Sequence, residues 1–297
     1  MQPDHEYHPV VLRLRAAVTA VALILACGPP GETVAELPSG LNGIVVEDAG
    51  LERPVSVIHD PVDDVYLVAN TPVDADAFVS RVTPRGHVQT LRWIDAAADG
   101  VRLAAPAGMA LRGDTLYVAD GECIRLFRRA GGEPAGSICP PGAAALNDVA
   151  VDPRGRVYVS DAGSGVVHSI GTAGFVEVAR DQALVQNGGL SAGARGVFVA
   201  GAGLYQLTPD GLRIVVRDGE KRLGGIVFTR NGSFAFSNRS DNIVVFVEAI
   251  DNGTRGAVWT LANDMPSAGD LGYDALRERI LIPQADGDRL VFVDLKP

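Results

Sequence analysis

One phrase recurs six times along this chain: an apolar run, a short polar turn, then a second apolar run ending in a small or polar residue. The second runs read Val-Tyr-Leu-Val-Ala-Asn70, Leu-Tyr-Val-Ala-Asp120, Val-Tyr-Val-Ser-Asp161, Val-Phe-Val-Ala-Gly201, Phe-Ala-Phe-Ser-Asn238 and Ile-Leu-Ile-Pro-Gln284. Their end residues lie 50, 41, 40, 37 and 46 positions apart. Short strands repeating at a period near forty predict one four-stranded sheet per repeat, arranged radially. Six phrases predict an all-β, six-bladed β-propeller. Such a fold brings equivalent loops of every blade to one central channel, and candidate chemistry is sought there.

Strands fill almost the whole chain of 297 residues, so residues 41–297 read as one domain. Blades are expected at about 54–94, 106–139, 146–179, 187–217, 224–261 and from 269 onward. The last blade runs out of sequence after three strands. A spare apolar strand, Gly43-Ile-Val-Val-Glu47, precedes the first blade. It is expected to complete blade six and close the ring, leaving no blade short of a strand. A net charge of −10 argues against binding a phosphate backbone, which needs clustered basic residues, and nucleic acid is not an expected partner.

Arg13 and Arg15 precede an apolar stretch over residues 16–26, and Cys27 follows directly. Eleven apolar residues are too few to span a bilayer and suit an export signal. Ile24-Leu25-Ala26-Cys27 resembles the bacterial lipobox, in which the cysteine is lipidated. Residues 1–27 therefore read as a signal with a lipobox-like cleavage site and residues 28–40 as a Gly/Pro-rich tether. The expected location is the bacterial cell envelope, with contact to membrane through the lipid alone; a plain secretory signal to the periplasm or exterior is the alternative. Cys123 and Cys139 flank a predicted hairpin turning at Gly131-Gly132, equidistant from Gly131. In an oxidising compartment they are expected to form a disulfide; two buried thiols are the alternative.

The first strand of each blade lines the channel, and the second ends at its mouth. Counting back from the phrase ends places Val55, Ala107, Asn147, Asn187, Gly224 and Gly269 at the mouth, followed by Ser56, Gly108, Asp148, Gly188, Gly225 and Asp270. Candidate ligand-binding residues are Asn147, Asp148, Asn187, Asp161 and Asp270. Their oxygens suit calcium or another hard divalent cation, for which Asn147, Asp148 and Asp161 would be the ligands. The alternative is that Asp and Asn cap tight strand turns, as expected for Asp120 and Asn238. Strand alternation further allows Asp148 to point into the strand layer rather than the channel. Gly189-Leu-Ser191-Ala-Gly193 matches a nucleophile elbow by letters, but no helix pattern follows it.

The run Leu146-Asn147-Asp148-Val-Ala-Val-Asp-Pro-Arg-Gly-Arg-Val-Tyr-Val-Ser-Asp161 resembles the third-blade motif of the senescence marker protein/gluconolactonase/luciferin-regenerating enzyme family, and Gln186-Asn187-Gly188-Gly-Leu190 resembles its Asn-Gly-Leu motif. The phrases are also similar to NHL-type propellers. The resemblance implies a metal-dependent lactone hydrolase whose cation is held by a Glu, an Asn and an Asp. Carried over, the Asn is Asn147, the Glu position falls on Val55 with Glu52 three residues early, and the Asp position falls on Gly201. Two of three ligands are missing, and a single carboxamide does not hold a catalytic ion. The sequence thus favours a monomeric, non-enzymatic propeller without a cofactor, binding a small polar molecule or a protein at its channel mouth. A divalent-metal lactonase is the alternative.

Overall fold

The computed structural model describes residues 10–11, 42–171, 174–186, 188–217, 223–249 and 255–295. They form six antiparallel sheets of four strands, the six blades of a propeller, with Val10–Val11 added in parallel at the edge of the fourth and short 3-10 turns as the only helical elements among them. Blade one comprises Pro54–Asp60, Val65–Asn70, Phe78–Val82 and Val88–Asp95. Blade two comprises Pro106–Arg112, Thr115–Asp120, Cys123–Arg128 and Pro134–Ile138. Blade three comprises Leu146–Val151, Val157–Asp161, Val166–Gly171 and Gly174–Arg180. Blade four runs from Leu190–Gly193 to Gly211–Arg217 and blade five from Leu223–Phe228 to Arg255–Ala262.

Blade six is built from Gly272–Asp274, Arg279–Gln284 and Arg289–Asp294, and Gly43–Val46 is its outer strand. Gly43 pairs with Val293 and Val46 with Leu290, so the expected closure of the ring is present. Blades four and six begin later than expected, at Leu190 and Gly272 rather than near 187 and 269. In blade four a turn of 3-10 helix, Gln182–Leu184, capped by the Asp181 carboxylate on the Ala183 amide at 2.8 Å, occupies the approach to the first strand. Apart from Val10–Val11, which pair in parallel with Val216–Arg217, the signal and tether, with Cys27, lie outside the described residues.

The apolar runs face neighbouring blades. One cluster, around Leu67, Leu116 and Phe127, lies between blades one and two; another, around Tyr66, Leu281, Leu290 and Phe292, seals blade six against blade one. Second strands are sandwiched on both sides, so Val65–Asn70, Val157–Asp161 and Arg279–Gln284 are buried throughout. That explains their near-continuous apolar character, since a strand covered on both faces has no polar side to show. Cys123 and Cys139 are joined in a disulfide that ties the third strand of blade two to the end of its fourth.

The alternating strand directions give the ring two faces. The mouth face carries the ends of the second strands and the links between blades. The lower face carries the turns joining first to second and third to fourth strands. The chain enters the propeller at Asn42 on the lower face, where its carbonyl accepts the Asp294 amide at 2.9 Å.

Candidate functional site at the channel mouth

A β-bulge interrupts the first strand at its mouth end in blades one, two, three and five, between Pro54 and Ser56, Pro106 and Met109, Leu146 and Asp148, and Leu223 and Ile226. A bulge inserts an unpaired residue and re-aims those beside it. At Asn147 the consequence is direct. Alternation alone allows Asp148 to turn into the strand layer, yet its side chain is aimed at the axis and meets Asp270 carboxyl to carboxyl.

These two residues come from blades three and six, opposite one another across the ring, and every other blade touches them. Ser56 of blade one donates its hydroxyl to Asp270 Oδ2 at 3.1 Å. The Leu190 amide of blade four donates to Asp148 Oδ2 at 2.5 Å, and the Val149 amide to Asp148 Oδ1 at 2.6 Å. Gly108 of blade two lies so close that a Cβ there would sit 1.9 Å from Asp148 Oδ1. Gly225 of blade five is pressed against Asp270, where a Cβ would sit 2.5 Å from its Cα. The carboxyl pair is therefore the hub at which all six blades converge.

Removal from water pushes the Asp148 carboxyl well above its ordinary range, and the charge of Asp270 adds to the shift. Burial likewise raises Asp270, to about 7, against the lowering effects of the Ser56 hydroxyl, Asp148 and the charge of Arg239. Two carboxyls in contact repel one another when both are ionised, which favours a proton held between them.

The second-strand ends are occupied differently. The Asp161 carboxylate accepts the amides of Ala144, Ala145 and Gly163, each at 2.9 Å, and the Ser164 hydroxyl at 2.7 Å. Burial works to raise it, and these donors outweigh burial and hold it below the carboxylate range. Asp120 accepts the Ala104 and Ala105 amides and pairs with Arg125, while Asn238 accepts the Ser240 and Asp241 amides. All three cap loops. Asn147 differs: it is half-buried beside the axis, and its carboxamide makes no hydrogen bond among the described residues. Asp270 is partly open to the channel. Arg239, exposed, comes close to the backbone of Gly224, where a Cβ would lie 2.9 Å from its Nε. Asn187 lies outside the described residues.

The donor set does not fit a catalytic divalent ion. Val55 packs among apolar side chains. Glu52 points to Arg92, 3.6 Å away. Gly201 is buried, and a Cβ there would lie 2.4 Å from the Ala183 carbonyl oxygen, so no carboxylate-bearing side chain has room. Asp161 is held by loop amides and Asp148 by backbone amides and Asp270, which leaves Asn147, among the described residues at the positions the resemblance implies, as the one remaining ligand.

A second carboxylate cluster lies on the lower face, where blade six meets blade one. His59 Nε2 is 3.1 Å from Asp64 Oδ1 and its Nδ1 is 3.4 Å from Asp274 Oδ1. Their ligand-type atoms lie within 4.8 Å of one another, the spacing of a metal site. The Arg277 guanidinium fills that role, reaching Asp64 Oδ2 at 2.6 Å and Asp274 Oδ2 at 2.8 Å, while the Tyr66 hydroxyl donates to Asp274 at 2.8 Å. Sequence reading missed this cluster because its two halves, His59 with Asp64 and Asp274 with Arg277, are more than two hundred positions apart.

No family model matches the chain and no curated protein matches it, so the family resemblance read from blade three rests on those residues alone. Solved structures do match in fold, and they are six-bladed propellers. A streptogramin B lyase aligns with a TM-score of 0.61 at 9% identity, over 85% of this chain and 98% of that one. Virginiamycin B lyase from Staphylococcus aureus aligns at 0.58 and 10%, over 86% and 100%. An auxiliary nutrient binding protein from Bacteroides ovatus aligns at 0.62 and 14%, over 88% and 75%. The chain is thus an all-β, six-bladed propeller whose similar folds serve diverse roles.

Proposed function

We propose that this protein is an exported, lipid-anchored propeller that binds a small polar ligand at its channel mouth without turning it over. The observation that carries this reading is the unpartnered carboxamide of Asn147. It stands beside the partly open Asp270 and near the exposed Arg239, whereas the other polar groups at the mouth are spent on caps or on each other. A few convergent polar groups on an otherwise closed floor suit recognition of a hydroxyl- or carboxylate-bearing molecule. Asn147 supplies one donor and one acceptor, Asp270 an acceptor or a shared proton, and Arg239 a cation. The nutrient-binding neighbour is compatible with such a role, at the level of fold alone.

Lyase chemistry receives no such support. One solved neighbour is a catalytically inactive His→Ala variant of virginiamycin B lyase with quinupristin. Here His59 lies on the lower face, His87 follows a lower-face turn and His168 is buried within blade three. Lactone hydrolysis lacks the carboxylates that would hold its cation.

Calorimetric titration of the protein with a panel of sugars, sugar acids and amino acids tests the proposal. Binding by one class, lost in Asn147→Ala with unchanged melting temperature, supports it. Micromolar affinity for calcium, zinc or manganese, lost in the same variant and accompanied by lactone turnover, overturns it in favour of the hydrolase. Anchoring is tested separately: Cys27→Ser should abolish lipid labelling and membrane retention.

A further inference from the structure

The lower face carries a feature the mouth does not share. The turns joining first to second strands in blades two to five bear Arg112, Arg154, Arg156, Arg195 and Arg230, and all five are exposed. Among the described residues none of the five forms an ion pair. Seven other arginines, Arg53, Arg81, Arg92, Arg125, Arg129, Arg277 and Arg279, each hold a carboxylate; Arg85, Arg102 and Arg128 are exposed and, like the five, form no ion pair among the described residues.

The five form an arc around the lower opening. Arg112 reaches from blade two over the turn of blade three, where a Cβ on Gly155 would lie 3.4 Å from its Nε. Arg195 reaches from blade four over the turn of blade five, so close that a Cβ on Gly232 would lie 2.5 Å from its Nε. The same four turns contain two carboxylates, Asp114 and Asp152. Asp152 is spent on its own turn, accepting the Arg154 amide at 2.9 Å and the Arg156 amide at 2.8 Å. Unpaired guanidinium thus exceeds carboxylate along this arc of the lower face, while other turns of that face carry Glu133, Asp210, Asp63 and Glu278, on a chain whose net charge is −10.

From this arc, together with the entry of the chain at Asn42 on the same face, we infer that the lower face of the propeller docks on an anionic membrane surface. The inference rests on the anchoring reading for its biological setting. A lipid at Cys27 would leave residues 28–41, Gly/Pro-rich in sequence, between the membrane and Asn42, a length that as a random coil would reach about 20 Å. Asn42 lies on the arginine side, so a propeller anchored through it presents its guanidiniums to the headgroups and its mouth away from them. One acyl anchor gives weak, reversible attachment, and a basic patch supplies a second contact. Without the arc, the overall negative charge would be repelled from an anionic leaflet.

Flotation of the full chain with phosphatidylcholine vesicles, and with vesicles containing roughly one-third phosphatidylglycerol, measures this contact apart from any apolar insertion. Phosphatidylglycerol should strengthen partitioning in low salt, and added salt should erase the gain. The triple variant Arg112→Gln, Arg195→Gln, Arg230→Gln should lose about a hundredfold of that gain, at roughly 1 kcal/mol per basic residue, and bind neutral vesicles as before. The corresponding Arg→Lys triple keeps the charge and should retain most of it. Equal binding of the wild type and the glutamine variant to phosphatidylglycerol vesicles overturns the inference. So does micromolar binding of inorganic triphosphate, lost in the glutamine variant, with no lipid dependence; the arc would then serve a soluble polyanion. Unchanged membrane retention of Cys27→Ser in cells would refute the anchor and leave the vesicle result standing on its own.

Discussion

The hub and the lower seam are both carboxylate clusters at blade junctions, and they hold opposite charge states. At the hub Asp148 and Asp270 meet carboxyl to carboxyl, and burial with mutual repulsion raises both. At the seam Arg277 bridges Asp64 and Asp274. Hydrogen bonding to Arg277 lowers Asp64 to about 2, and Arg277 and Tyr66 hold Asp274 below the ordinary range against its burial. The same residue type is thus shifted up in one place and down in the other, because Arg277 bridges both seam carboxylates, whereas at the hub the charge of Arg239 does not offset burial. Each cluster joins blades remote in sequence.

The largest expected effect breaks the hub itself. Gly225→Ala forces a methyl against the Asp270 backbone, which has no flexible end to move aside. The variant should lose more than about 3 kcal/mol in urea unfolding, or fail to fold. A loss below about 1 kcal/mol would show that the ring has slack at its centre.

Titration separates the two clusters. The raised pKa values at the hub stabilise the fold below the ordinary carboxylate range, and that contribution is lost as pH rises through about 7. The lowered values at the seam act in the other direction: their contribution is present above about 4 and is lost as pH falls towards about 2. Asp148→Asn keeps an acceptor for the Leu190 amide and removes the like charge. It should flatten a decline between about pH 4 and pH 7 on the order of 3 kcal/mol while leaving the limb below about pH 4 intact. An unchanged decline in this variant would place the titration elsewhere.

Blade two provides a reference outside both clusters. Reducing the Cys123–Cys139 disulfide, or replacing Cys123→Ser, should lower stability by at most about 3 kcal/mol, by similar amounts at pH 5 and pH 8. A strongly pH-dependent loss would mean that the blades do not act as separate units. The smallest expected effect is at the seam. Arg277→Ala should cost about 2 kcal/mol at neutral pH and suppress the acid limb, because the buried Asp274 loses its charge partner but retains Tyr66 and His59. Full stability in Arg277→Ala would show that those two suffice.

The sequence by itself determined the all-β class, the six blades, the closing strand at Gly43–Val46 and the cysteine pair. Each rests on a local or periodic signal: an apolar run of strand length, a turn between two runs, a repeat interval. It also singled out Asn147, Asp148 and Asp270, because the repeat places them at equivalent points of their blades. What it could not give was their arrangement. Alternation leaves Asp148 free to face the strand layer, and the bulge at Asn147 is what turns it to the axis. The meeting of Asp148 with Asp270, the seam of His59 with Asp274 and Arg277, and the arc of unpaired arginines were decided only by closing the ring. Circular closure makes neighbours of residues more than a hundred positions apart, and in a single sequence no local pattern records which side chains face each other across an axis.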